Sequence, residues 1–191
     1  MISVIFAPSF YIFAFTLRGF HMKNLTIIGL LIFVLSIPGH ASGQYDKFKA
    51  LYLYNFTKRI DWPEKYKEGD FVMGVLGKTN ITKHLKDFTK NKRVLNQPIK
   101  VENFTDYREI DTCHLLLITR NYSGELNKVI EHLAAKPTLV VTEKPGSPAC
   151  INFKETKKAL QFQINPRKIK EKNMKVSQSL INLGIEIETD A

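Results

Sequence analysis

Three runs with hardly a polar residue, FVMGVL at 71–76, HLLLIT at 114–119 and PTLVVT at 137–142, constrain the fold more than anything else in these 191 residues. Apolar runs of this length without alternation mark strands covered on both faces. Stretches with helical periodicity stand between them. Residues 81 to 90 turn Ile81, Leu85 and Phe88 to one side, and after Ser123 a stripe of Leu126, Val129, Ile130 and Leu133 follows. Buried strands that alternate with amphipathic helices require right-handed crossovers. The expected fold is therefore α/β, a mostly parallel sheet with helices on both faces. Residues 149–153 and 159–164 add a C-terminal antiparallel hairpin at its edge.

Three further elements complete the pattern. Residues 46–61 read as a helix whose apolar face is Phe48, Leu51, Tyr52, Phe56 and Ile60, stopped by Trp62-Pro63. Residues 98–104 read as a strand. Asn165-Pro166 opens a last helix, which carries Val176, Leu180, Leu183 and Ile187 on one face.

The amino-terminal region reads differently. Met22-Lys23 is followed by an apolar run from Leu25 to Ile37 and by small residues at Gly39 and Ala41. A basic start, a short apolar core and a small-residue cleavage site make a signal peptide over 22–41. About 13 apolar residues do not span a bilayer, which takes about 20. Residues 1–21 are either the product of a start codon placed too early or an extra apolar anchor. A single domain is expected over 42–191, working outside the cytoplasm.

Of 28 basic residues only Arg18 and Lys23 precede Ser42, where no acidic residue falls, so 26 bases face 18 acids and the domain carries +8. The lysines are scattered and not interleaved with aromatics, so no nucleic-acid partner is expected.

No pattern of catalysis emerges. Gly74-Val-Leu-Gly77-Lys78-Thr79 has two residues between its glycines where a phosphate loop needs four. Cys113 and His114 are adjacent on a strand, so they point to opposite faces and form no dyad. His84, His114 and His132 lack metal-ligand spacing, and neither a metal nor a cofactor is expected. Cys113 precedes one buried strand and Cys150 follows another. The length of a strand, roughly 20 Å, separates such positions, whereas a disulfide needs Cα atoms within about 7 Å. The two are expected to stay unpaired within the chain.

Leu51-Tyr-Leu-Tyr-Asn-Phe-Thr-Lys58 with Asp61-Trp62-Pro63 resembles the opening helix of the YfiR-like family of periplasmic regulators. Gly74-Val-Leu-Gly77, Cys113-His114-Leu-Leu-Leu-Ile118, Thr138-Leu-Val-Val-Thr142, Ile151-Asn152-Phe153, Phe162-Gln-Ile-Asn165 and Met174-Lys-Val-Ser-Gln-Ser-Leu180 continue the resemblance in the family's order. It implies a non-enzymatic module that restrains a membrane-bound signalling protein, a diguanylate cyclase or a sensor kinase, and so feeds cyclic-di-GMP output. A homodimer is compatible with it. Tyr52, Asn55, Arg59 and Trp62 fall in the matched blocks and are expected to contact the partner, since Trp and Arg are enriched at binding hot spots. The competing reading is a periplasmic binder of small ligands or polyanions, which the +8 charge would serve.

Overall fold

The computed structural model describes residues 45–188. The signal-peptide and start-site expectations fall on residues outside that range. Five α-helices are described: α1 (Asp46–Thr57), α2 (Ile81–Thr89), α3 (Leu126–His132), α4 (Pro166–Glu171) and α5 (Gln178–Leu183). The strands are β1 (Ile60–Asp61), β2 (Phe71–Leu76), β3 (Arg93–Val94), β4 (Gln97–Phe104), β5 (Leu115–Ile118), β6 (Leu139–Thr142), β7 (Ile151–Glu155), β8 (Leu160–Ile164), β9 (Lys175–Val176) and β10 (Ile185–Glu186).

Eight strands form one sheet in the order β10-β8-β7-β6-β5-β2-β4-β3, and β1 pairs with β9 apart from it. The α/β class holds, but the sheet is mixed. Its centre, β7-β6-β5-β2-β4, is parallel. The β7–β8 hairpin and the β3–β4 pair are antiparallel, and β10 adds a parallel edge outside the hairpin.

Period-two alternation places the cores. Phe71, Met73 and Val75 of β2, Leu115 and Leu117 of β5, and Leu139 and Val141 of β6 enter one core. Val72, Leu76, Leu116, Ile118 and Val140 enter the other. Ile81 and Leu85 of α2 cover the first face, while Leu126, Val129 and Leu133 of the α3 region cover the second. Topology explains the split. From β2 the chain crosses through α2 to β4, and from β5 it crosses through α3 to β6 in the opposite direction. Right-handed crossovers in opposite directions put their helices on opposite faces.

Three expectations need correction. Residues 46–61 are not one helix: α1 ends at Thr57, because Ile60 and Asp61 pair with Val176 and Lys175. Its inward face also differs from the one the periodicity predicts. Phe48 is 53% exposed and Leu51 39%, while Lys49, Ala50, Leu53, Phe56 and Thr57 are buried. The single last helix is broken into α4, β9 and α5. Asn173 adopts a left-handed φ of 56° and the Met174 amide donates back to the Ile169 carbonyl, which closes α4. Asn165 caps α4 as its sequence demands, accepting from the Lys168 amide at 3.1 Å.

Candidate functional site: a charged cleft and an apolar, basic face on the first helix

The sheet reverses winding direction between β2 and β5, and in open α/β sheets ligands bind outside the carboxyl ends of strands at such a point. A cleft of about 460 Å³ lies there. The loop after β2 supplies Lys78, Thr79 and Asn80, the end of β5 supplies Thr119 to Asn121, and Glu143 follows β6. Asp46 and Lys49 of α1 and Glu155 of β7 close it. β7 pairs with only the last two residues of β6, so the hairpin runs on past the parallel strands and carries Glu155 to the cleft.

Lys49 organises the interior. Its side chain is 3% exposed and its ammonium bridges Glu143 and Glu155, the latter at 2.5 Å. Glu143 also accepts from the Arg120 amide at 2.9 Å, and the Arg120 guanidinium lies 3.6 Å from Glu155. Burial alone would depress the Lys49 pKa, but its hydrogen bonds to Glu143 and Glu155 outweigh that and leave it raised. Burial raises the pKa of Asp46, with Lys49 opposing it. Two bases and three carboxylates thus tie α1 to the ends of three strands. Gly77 makes the approach of β2 and β5 possible. Its φ is +108°, and a Cβ there would stand 2.2 Å from Thr119 Oγ1.

The other side of α1 is its opposite in character. Phe48, Leu51 and Phe88 line a groove of about 500 Å³ with Lys47, His84 and Asp87. Tyr54 stacks edge-on against Phe88 at 5.3 Å, and Lys58 and Lys92 lie over these rings at 4.5 Å and 4.4 Å. Lys58 also lines an adjoining groove of about 550 Å³ with Arg59, Arg93, Leu95 and Lys175. Leu95 is 68% exposed.

Of the four residues singled out by sequence, three are half-buried and the fourth, Trp62, is buried. Tyr52 is half-buried against Phe56, Phe153 and Phe162. Trp62 is 4% exposed, edge-on to Phe71, and its indole N–H reaches no acceptor among the described residues. Asn55 and Arg59 are half-buried, joined by an Arg59 Nη1 donation to the Asn55 carbonyl, and Arg59 reaches the basic groove. Sequence reasoning missed the Asp46–Lys49–Arg120–Glu143–Glu155 cluster, whose members come from separate elements. The signal present was a charged residue directly after each of two buried strands, Arg120 and Glu143.

Cys113, Cys150 and His114 are buried away from both surfaces. Cys113 lies in one core and Cys150 in the other, both buried and free. Burial pushes the Cys113 thiol up to about 12, which leaves no thiolate for nucleophilic work. His114 is 1% exposed, accepts from the Val72 amide at Nδ1 and meets the Tyr66 carbonyl at Nε2. Among the described residues no His/Cys/Asp/Glu group has the arrangement of a metal site, and no helix is long and apolar enough to cross a membrane.

No curated protein matches the chain. Residues 46–185, from the first turn of α1 to the start of β10, match the family model described as YfiR/HmsC-like, and the chain belongs to that family.

Proposed function

We propose that this protein is an exported, non-enzymatic regulatory module that restrains a membrane-bound signalling protein, a diguanylate cyclase or a comparable sensor. The family match over the whole described domain carries this reading. The buried, high-pKa Cys113 and the doubly bonded His114 support it from the chemical side. Asn55 and Arg59 are the matched residues with accessible polar groups, so they are the proposed contacts. Tyr52 and Trp62 hold the first helix and its exit in the core.

The test is cellular cyclic-di-GMP, measured with the gene deleted and restored, together with in-cell crosslinking from a photoreactive residue at 55. Deletion should raise cyclic-di-GMP and the crosslink should capture an integral membrane protein. Unchanged cyclic-di-GMP and no membrane protein captured would sink the proposal.

The charged cleft favours a second reading, a small-ligand sensor. A cleft of about 460 Å³ at a winding reversal is where an α/β sheet binds ligands. The two readings are compatible, since a ligand seated between α1 and the strand ends would bias the helix that carries the proposed contacts. Calorimetry with small anions and zwitterions, repeated on Arg120→Gln, tests it. Heats that do not change with that substitution would remove the cleft from consideration.

A further inference from the structure

We propose that the surface running from Phe48 to Leu95 is a docking face for an anionic membrane. Six large apolar side chains are exposed among the described residues, and four of them, Phe48, Leu51, Phe88 and Leu95, lie on this one surface. It is continuous. Phe88 stacks on Tyr54, Lys58 lies over Tyr54, and Lys58 lines the groove that holds Leu95. Bases frame the apolar residues: Lys58 and Lys92 hold ring faces, and Arg59, Arg93 and Lys175 line the groove that holds Leu95. The acids on this surface are Asp87 and Asp61, and Asp61 is already paired with Lys67 at 2.9 Å.

Leu95 supplies an independent argument. It sits in the tight turn between β3 and β4 with a φ of +53°. Glycine or asparagine adopts that conformation at little cost, and leucine does not. The chain keeps a strained, solvent-facing leucine where a smaller polar residue would fold better, so its side chain serves something outside the fold.

The chemistry selects the occupant. Protein interfaces bury roughly 800 Å² per partner and are depleted in lysine at their centre. Here a few apolar side chains are interleaved with lysine and arginine, the composition of surfaces that insert into the headgroup region of anionic bilayers.

This inference goes beyond the regulatory reading and stands without a protein partner. Only the choice of an envelope membrane rests on export. The experiment takes processed protein from cells expressing the full chain and measures cosedimentation with phosphatidylglycerol-containing and pure phosphatidylcholine vesicles. Binding should need the anionic lipid and fall steeply between 0.05 M and about 0.5 M salt. Leu95→Asn and Phe48→Ser should each weaken it, and together by about tenfold or more. Leu95→Asn should do so with its melting temperature held or raised, which separates lost docking from lost folding. Equal binding to both vesicle types, or wild-type binding by the double variant, would overturn the proposal. A dimer that the double variant dissolves, with no vesicle binding, would assign the face to a second copy and overturn it too. Failure of the vesicle assay leaves the cyclic-di-GMP prediction standing, and failure of that prediction leaves vesicle binding untouched.

Discussion

Phe48 and Lys49 are neighbours in sequence and opposites in environment. The aromatic side chain is 53% exposed, and the ammonium beside it is 3% exposed among carboxylates. Each belongs to a larger region of the same kind. On the Lys49 side, that base and the carboxylates of Asp46 and Glu143 are buried at the strand ends, with Arg120 reaching in from the exposed rim. On the Phe48 side, apolar groups and unneutralised bases face water. The first turn of α1 is inside-out by the rule that apolar residues go in and charged ones stay out. The cleft shows why Lys49 tolerates burial: both of its strong partners come from the ends of β6 and β7, so its charge is compensated in place. Folding gains little from such a cluster, since a well-packed apolar replacement is often as stable. A charged cleft and an exposed apolar face are both costs to folding, and both lie on the helix at which the family match begins.

The sharpest way to break this contrast is to remove Lys49. Lys49→Ala leaves Glu143 buried without its cation, and loss of one partner from a buried pair costs about 3–5 kcal/mol. Urea denaturation should show that loss. A change within about 0.5 kcal/mol would mean the cluster is solvated and the cleft is surface chemistry.

Gly77→Ala should cost less but still measurably, about 1–3 kcal/mol, from backbone strain and the clash with Thr119 and Tyr122. A wild-type melting temperature would show that β2 and β5 do not need their close approach at the cleft.

Stability against pH sharpens the comparison further, because Asp46 in the cleft and His114 outside it respond with opposite sign. The folded state raises the Asp46 pKa above 3.8, chiefly by burial. Between 3.8 and the raised value the folded state holds more protons than the unfolded one, so this group's contribution falls as pH rises through that window. Asp46→Asn should remove that slope, by a modest amount because Lys49 opposes the shift. His114 lies outside the cleft, and burial depresses its pKa below 6.5. There the unfolded state binds the extra proton, so stability is lost as pH falls below 6.5. A pH series on Asp46→Asn and His114→Gln separates the two slopes. Parallel profiles for the two variants would show that the groups are not oppositely shifted.

Much of the frame was legible because it is written in local pattern. FVMGVL, HLLLIT and TLVVT are strands β2, β5 and β6, and Asn165-Pro166 starts α4. The family resemblance read from the sequence blocks agrees with the match over 46–185. What stayed hidden depends on partners distant in sequence. Ile60-Asp61 leaves the helical pattern only because β9 lies ready to pair with it. Helical spacing assigned Phe48 and Leu51 inward, since nothing local to α1 announces that carboxylates from residues 143 and 155 wait for Lys49. The cleft also depends on strand order, which sets the winding reversal at β2 and β5, and single-strand periodicity carries no information about order.

The smallest expected effect tests the face instead of the cleft. Phe48→Ser and Leu51→Ser each remove apolar surface that is already partly in water in the folded state, 53% of it for Phe48 and 39% for Leu51. The hydrophobic effect scales with area taken out of water on folding, so little stability is at stake. Each substitution should change unfolding free energy by on the order of 1 kcal/mol, the share of a full burial that these half-exposed side chains make. Against the loss expected for Lys49→Ala, one position along the same helix, that is a reversal of the usual ranking of aromatic over lysine. Thermal and urea denaturation of the three variants side by side decide it. A loss above about 2 kcal/mol for Phe48→Ser would place that side chain in a packed environment. The first turn of α1 would then not be inside-out, and the apolar face would lose its leading residue.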